Sequence, residues 1–229
     1  TGVELTLQGA ILRNTAVKWT SRLNYGTNRN RAFNITQVNK TLIAYTTLSY
    51  YYHLPDQPVD FVAAAEWTGY NEKGIDKFMY QGKEYAVTDI PNYNTMNLAD
   101  IFKVVGQRNP RHFGQWSNTF TYKGLDLNIS LLYKFGHVFV ADYPAAGMAN
   151  SYLNYTRSFT WLPALMVNRW QSPEDGNNAS MYSLNEKITN TSQQTLLDYV
   201  SRYNTRNVMN AGSIRLQSIA LAYRVPQKH

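Results

Sequence analysis

Residues 106–136 read GQRNPRHFGQWSNTFTYKGLDLNISLLYKFG and have the clearest periodic pattern of the sequence. Large apolar side chains alternate with mostly polar ones over Trp116–Tyr122 and again over Leu125–Phe135. Because successive side chains of a β-strand point to opposite faces, the pattern predicts two strands, each with an apolar and a polar face. The Lys123-Gly124 step between them predicts a two-residue turn, and therefore an antiparallel hairpin.

Two environments would produce such a hairpin. A soluble β-sandwich buries the apolar face in its core, whereas a transmembrane β-barrel turns that face to lipid and the polar face to a wet lumen. The strand Leu125–Phe135 has 11 residues, and a tilted strand needs about 9–11 residues to cross a bilayer. Aromatic residues at the strand ends are also typical of a membrane interface. The pattern alone leaves both alternatives open.

The same alternation predicts strands at about 3–12, 16–28 and 213–225, besides the hairpin strands at about 111–122 and 125–139. In the last of these five strands the apolar positions change parity at Gln217-Ser218. A β-bulge at this point would return them to one face, since one extra residue restores the register.

Short turns and long connections follow each other along the chain, and the long connections cover about 29–110 and 141–210. This asymmetry is typical of outer-membrane barrels, whose extracellular loops are long and whose periplasmic turns are short. The predicted fold is therefore all-β, part of a large antiparallel up-and-down transmembrane β-barrel. Because the smallest such barrels have eight strands, we expect residues 1–229 to be a fragment of the barrel domain.

Two short helices are predicted within the long connections. Thr191 and Gln194 have the spacing of a capping box, which predicts a helix at about 192–202. Asn97 could cap a second helix, because apolar residues recur with helical spacing from Leu98 to Val105.

Composition excludes several classes of function. The chain has no cysteine, which excludes disulfide scaffolds, cysteine-zinc sites and thiol catalysis. Its net charge of +7 comes from basic residues spread over separate strands, so nucleic-acid binding is not expected. The four histidines lack metal-ligand spacing, and no nucleophile elbow or phosphate loop is present. We therefore expect no enzymatic activity, no metal and no cofactor.

Five basic residues fall on the polar face that would line a lumen, and two interpretations apply to them. They could form an electropositive path for an anionic substrate, or they could pair with acidic groups of the lumen and of the rest of the protein. The second interpretation is favoured, because unpaired charges at low dielectric are costly. The five residues are Lys18, Arg22, Lys134, Arg215 and Arg224.

Aromatic residues in the long connections are the candidate binding residues. Such rings could stack on sugar or peptide, or form an interface with a partner, where Tyr and Trp are favoured. Ordinary packing is at least as good an explanation. The residues are Tyr50, Tyr51, Tyr52, Trp67 and Trp170.

Three segments of the chain resemble a known family. GVELTL at 2–7, the stretch 106–136 with its Asn-Thr-Phe and Tyr-Lys-Gly-Leu-Asp-Leu motifs, and AGSIRLQSIALAYRVP at 211–226 are similar to the C-terminal barrel of SusC/RagA-type TonB-dependent transporters. The order and spacing of the three segments match the family, whereas the long connections match poorly.

The resemblance implies a multi-pass β-barrel in the lipid of the bacterial outer membrane. It also implies TonB-dependent import of oligosaccharides or peptides, with a SusD-like surface lipoprotein as a lid over the long connections. The TonB complex would act through parts that these 229 residues do not contain. A soluble β-sandwich that binds glycan is the alternative function.

Overall fold

A computed structural model describes residues 1–35, 41–46, 53–141 and 166–225. The described helices are α1 Leu42–Tyr45, α2 Leu98–Ile101 and α3 Thr191–Arg202. The described strands, in chain order, are β1 Gly2–Leu12, β2 Val17–Asn28, β3 Phe61–Ala65, β4 Trp67–Tyr70, β5 Asp76–Tyr80, β6 Lys83–Ala86, β7 Phe102–Gln107, β8 His112–Tyr122, β9 Leu125–Phe135, β10 Val138–Val140, β11 Val208–Asn210 and β12 Ser213–Tyr223.

The chain divides into two compact units. The first contains the described parts of Thr1–Arg31, Gln107–Val138 and Asn210–His229, and the second those of Ala32–Gly106 and Phe139–Met209. No helix among the described residues combines the length and the apolar character needed to cross a membrane.

The first unit is built on one antiparallel sheet, which we call the large sheet. Its strand order is β1-β2-β8-β9-β12, and each strand has 11 or 12 residues. All five strands lie where side-chain alternation predicts them, but β9 ends at Phe135 rather than 139. Residues Val138–Val140 instead form β10, which pairs with β11. Within the described residues the large sheet is open, with β1 and β12 at its edges, and it does not close into a barrel.

The register of the large sheet separates polar from apolar side chains across all five strands. Thr121 lies opposite Lys18 on one side and Asp126 on the other, whereas the next residue, Phe120, lies between Trp19 and Leu127. The predicted bulge in the last strand is confirmed, because the β9–β12 register shifts between Leu216 and Ser218. A second bulge interrupts β1 between Ala10 and Leu12. The two bulges keep both edge strands in phase with the central hairpin.

Two glycines of the large sheet lie under aromatic rings. A Cβ on Gly114 would meet the carbonyl oxygen of Asn24 at 2.0 Å and the Tyr133 hydroxyl oxygen at 2.5 Å, and that hydroxyl donates to the same carbonyl at 2.9 Å. On the opposite face, a Cβ on Gly26 would meet the Phe113 ring at 2.8 Å. Aromatic rings that cover glycines fix the register of neighbouring strands.

The second unit has its own hydrophobic core, so the prediction of two loops at 29–110 and 141–210 needs correction. Short strands β4, β5 and β6 form a three-stranded sheet, and β3 pairs with β7. Side chains from both long connections meet in one core. Its largest fully buried members are Phe61, Phe78, Phe102, Ile75, Ile101, Met181, Leu196, Val62, Val87 and Val200.

Both predicted helices are present, but their caps and lengths differ from the sequence-based prediction. The N-cap of α3 is Asn190, whose side chain accepts hydrogen bonds from the backbone N–H groups of Ser192 and Gln193. Helix α2 has only four residues, and Asn97 precedes it without a capping hydrogen bond from its side chain. The chain then continues as β7, because the apolar spacing beyond Ile101 serves a strand and not a helix.

A buried carboxyl group lies in the core of the second unit. Asp76 is 2% exposed and accepts hydrogen bonds from the Trp67 indole N–H at 2.7 Å and from the Ser201 hydroxyl. Arg206 lies beside it, with its guanidinium 4.9 Å from the Trp67 ring centre. Burial raises the pKa of Asp76 from its ordinary 3.8 to about 6, because the hydrogen bonds and the Arg206 charge offset only part of the desolvation.

We predict that Gly114→Ala destabilises the large sheet. The added methyl group must displace either the Asn24 carbonyl group or the Tyr133 ring, and overpacking of this kind costs about 1–3 kcal/mol. Gly9→Ala is the matched control, because a Cβ at Gly9 meets nothing within 4 Å. Thermal unfolding of the purified protein, followed by circular dichroism, should show a lower midpoint for the first variant only. Equal midpoints for both variants would contradict the packing described above.

We also predict that Asp76 makes the second unit less stable as the pH rises from about 4 to about 6. In this range the carboxyl group ionises in the unfolded chain while the folded chain still holds the proton. Integrated over about two pKa units, the loss in unfolding free energy is about 3 kcal/mol. The difference between wild type and Asp76→Asn isolates this contribution, measured by tryptophan fluorescence during denaturation. Parallel pH profiles for the two proteins would refute it.

Candidate functional site

The polar face of the large sheet is the first part of the candidate site. Its side chains are hydrogen-bonded to each other across neighbouring strands, which fixes their orientation. On the β1 side, the Thr6 hydroxyl donates to the Asn24 side-chain oxygen at 3.1 Å. Three such pairs join β8 to β9: Thr121 with Asp126 at 2.5 Å, Thr119 with Asn128 at 2.7 Å and Ser117 with Ser130 at 3.1 Å.

The five basic residues predicted for the lumen lie on this face or at its rim. Arg224, just beyond the end of β12, forms an ion pair with Asp126 at 2.9 Å. No other ion pair within 4.0 Å joins a described residue to one of the five. Arg22 donates to Asn24 at 3.3 Å and Arg215 to Gln217 at 2.9 Å, both of which are neutral. Pairing with acidic groups therefore accounts for Arg224 alone in the part of the chain that the structure describes.

The opposite face of the large sheet is apolar and exposed. In the edge strands β1 and β12, the exposed fraction of the apolar side chains on this face ranges from 40% at Leu12 to 69% at Leu221. The exposed apolar residues on this face are Val3, Leu5, Leu7, Leu12, Val17, Trp116, Tyr122, Leu125, Phe135, Ile214, Leu216, Ile219, Leu221 and Tyr223.

Ser21 and Asn118 are polar residues in the middle of the apolar face, and each accepts a hydrogen bond from a tryptophan. The Trp19 indole N–H donates to the Asn118 side chain at 2.9 Å, and the Trp116 indole N–H donates to the Ser21 hydroxyl at 2.8 Å. Ser21 and Asn118 lie directly opposite each other in the register. The indole donors are thus satisfied inside the sheet without water, as an apolar surrounding would require.

Aromatic rings lie at both ends of the strands. Near one end the Tyr25 hydroxyl is 2.7 Å from His112 Nδ1, and their rings stack with centres 6.0 Å apart. At the other end, Lys123 in the hairpin turn places its ammonium group 5.3 Å from the ring centre of Tyr122. The sequence indicated the aromatic ends. It did not reveal the Tyr25–His112 pair, which depends on the register between β2 and β8.

The structure places two of the five candidate aromatic residues in the second unit. Trp170 is only 6% exposed and belongs to the hydrophobic core, which favours ordinary packing over ligand stacking. Trp67 is half-buried, bound to Asp76 through its indole N–H and covered by the Arg206 guanidinium. The other three, Tyr50, Tyr51 and Tyr52, lie outside the described residues.

A buried polar cluster surrounds Asp76, and sequence reasoning missed it. Arg206 donates to the Tyr70 hydroxyl at 2.8 Å and also to the carbonyl oxygen of Ala179. Burial raises the pKa of the nearby Tyr182 hydroxyl, which has no hydrogen-bond partner among the described residues. These residues come from both long connections, and no local motif joins them. The described residues contain no group of three or more acidic or histidine side chains that could hold a metal ion.

Comparison with known proteins finds similarity of structure and not of sequence. No protein-family model matches the chain, and no curated protein matches it. Among solved structures, the RagAB peptide importer in its closed-closed state matches with a TM-score of 0.63 and 16% sequence identity, over 98% of this chain and 23% of that one. A further structure of the RagAB peptide transporter matches with a TM-score of 0.62 at 18% identity, again over 98% of this chain and 22% of that one.

The importer in its open-open state matches with a TM-score of 0.59 at 18% identity, over 98% of this chain and 22% of that one. The chain thus spans less than a quarter of the length of these RagAB chains. At this level of identity the likeness shows the fold.

Proposed function

We propose that the large sheet is part of the wall of a transmembrane β-barrel in the bacterial outer membrane. The chain would then belong to a nutrient importer of the SusC/RagA type. One observation carries the proposal: five strands of 11 or 12 residues have an exposed apolar face and an ordered polar face. The fold likeness to the RagAB importer supports it.

The dimensions of the large sheet suit a bilayer. A strand of 11 residues at about 3.3 Å per residue is about 36 Å long. Tilted by about 45°, it rises about 25 Å, the height of the apolar band of outer-membrane barrels. The aromatic rings near both strand ends would then lie at the two interfaces.

The exposed surface of the first unit is costly in water. Removing one large apolar side chain from water is favourable by about 1.5–3 kcal/mol of free energy. The apolar face exposes more than a dozen such side chains. The edge strands β1 and β12 also present unpaired backbone groups within the described residues. Lipid on the apolar face and further strands at the two edges would remove both costs.

The alternative, a soluble sandwich that binds glycan, requires a second sheet over the apolar face. In the described structure those side chains are exposed, and the strands are longer than the usual 5–6 residues of globular proteins. The barrel wall is therefore the better account.

For the whole transporter we propose TonB-dependent import of peptides or oligosaccharides, without catalysis or a cofactor. Peptide is the first choice of substrate, because the structurally similar RagAB is a peptide importer. The second unit, in place of two separate loops, would dock a SusD-like surface lipoprotein. Trp67 and Trp170 would support that docking through the folded core and not through direct stacking.

We predict that spin labels along β12 alternate between lipid and water. The chain has no cysteine, so labels can be attached at single cysteines that replace Ile219, Ala220, Leu221 and Ala222. In bilayers, labels at 219 and 221 should be relaxed mainly by oxygen, which concentrates in lipid. Labels at 220 and 222 should respond to a water-soluble nickel complex.

The same four labels also test the sandwich. In a soluble sandwich the labels at 219 and 221 would be shielded from both reagents, because a second sheet would cover them. Shielding at both positions, or a protein that remains monomeric without detergent, would refute the barrel wall.

To test whether the second unit docks the lipoprotein, the whole unit has to be deleted. Because both long connections share one core, deletion of one would unfold the other. Replacing 32–106 and 139–209 together by short glycine-serine linkers should leave the large sheet intact and abolish co-purification of the lipoprotein. Undiminished co-purification would contradict this role, and circular dichroism of the variant provides the control for folding.

A further inference from the structure

We propose that Lys134 and Arg215 form an anion-binding site on the polar face of the large sheet, for the carboxylate groups of acidic peptides. This inference rests on the proposed function, in which the polar face lines the path of the substrate. The inference adds the chemical class of ligand that would bind at Lys134 and Arg215.

The register of β9 and β12 makes the two cations neighbours. Arg215 lies opposite Leu132, and Ser213 lies opposite Lys134. Lys134 and Arg215 are therefore a diagonal pair on one face, with roughly 7–8 Å between such positions. Both side chains are exposed, and two ammonium or guanidinium groups at this distance can contact one carboxylate between them.

No acidic side chain of the large sheet compensates this pair. The acidic residue in the same row is Glu4, which is separated from Lys134 by Gly26 and Phe113 across β2 and β8. Three strand spacings place it about 14 Å away. Asp126 is in the same strand as Lys134 but about 27 Å along it, and it is already paired with Arg224.

A third cation lies at the same end of the sheet. Arg111 directly precedes β8, and its Cβ is 3.1 Å from the place that a Cβ would take on Gly136, two residues after Lys134. The Nε atom of Arg111 is buried and has no hydrogen-bond partner among the described residues. A buried guanidinium nitrogen without an acceptor is costly, and an anion bound nearby would reduce that cost.

The arrangement departs from the usual balance of charges in sheets. Like charges that lie close together on neighbouring strands destabilise a sheet. Elsewhere on the same face, many polar groups are paired with each other, as in Thr119 with Asn128 and Arg224 with Asp126, although Lys18 and Arg22 also have no acidic partner among the described residues. It is the adjacency of Lys134 and Arg215, together with the missing acidic partner, that indicates a counter-anion from outside the sheet.

The location fits a substrate path. Lys134 and Arg215 lie where the strands continue into the long connections, at the end opposite the Lys123-Gly124 turn. In the proposed barrel this is the extracellular mouth, where an arriving peptide is met first. Clustered charge at a mouth raises the local concentration of ligands of the opposite sign.

Two blocked peptides of equal size test the site on the intact protein in detergent. Acetyl-(Glu)4-amide and acetyl-(Gln)4-amide differ only in charge. Titration calorimetry should show the Glu peptide binding about tenfold more tightly, as expected for charge-assisted hydrogen bonds. Lys134→Gln together with Arg215→Gln should remove this preference, and high salt should weaken it. Lys123→Gln, which removes a charge from the hairpin turn at the opposite end, should keep it.

The outcomes separate this inference from the proposed function. A preference that is absent, or that persists in the double variant, overturns the anion site while the spin-label pattern still supports the barrel. If the spin-label pattern contradicts a barrel but the protein still prefers the Glu peptide through Lys134 and Arg215, the transport path is overturned. The anion site itself is then retained. Displacement of the Glu peptide by inorganic phosphate at equal concentration would overturn the peptide as ligand, in favour of a small oxyanion.

Discussion

The register of the large sheet is the constraint on which the rest of the first unit depends. Side chains alternate with a period of two, so a slip of one residue in any strand would exchange its polar and apolar faces. Two bulges prevent this at the edge strands. Without the bulge at Gln217, residues Ile219 and Leu221 would face the hydrogen-bonded polar side. One extra residue thus keeps the apolar face continuous across five strands.

The central strands hold that register by close contact between backbone and rings. Tyr133 reaches over Gly114 to the Asn24 carbonyl group, and Phe113 covers Gly26 on the opposite face. Each contact joins neighbouring strands at one position only, because a shifted strand would bring a Cβ under the ring. A glycine-aromatic pair therefore selects the register more sharply than hydrogen bonds of the backbone, which a shifted ladder could form again.

The sequence predicts the large sheet well because its signal is local. Alternation of apolar and polar side chains over 11 residues can be detected without knowledge of the partner strand. A change of parity within the last strand predicts the bulge at Gln217. The second unit gives no such signal. Its strands have three to six residues, too few for a periodicity to be detected, and its core joins Phe61 and Phe102 to Leu196 from the other connection. The helix cap was misplaced by one residue for a related reason, since Asn190 and Thr191 are both good cap residues and only the backbone decides between them.

The candidate site shows the same division between local and distant information. The sequence assigned Lys134 and Arg215 to one face, but their adjacency follows from the pairing of β9 with β12 and from the bulge.

The two units also differ in what they need from their surroundings. The second unit has a buried core of apolar side chains and buries even the carboxyl group of Asp76. The large sheet leaves many apolar side chains exposed, and many of its polar side chains are hydrogen-bonded to each other. This difference is what the proposed barrel wall requires of the large sheet, whose apolar face would be covered by lipid and whose edges would pair with neighbouring strands.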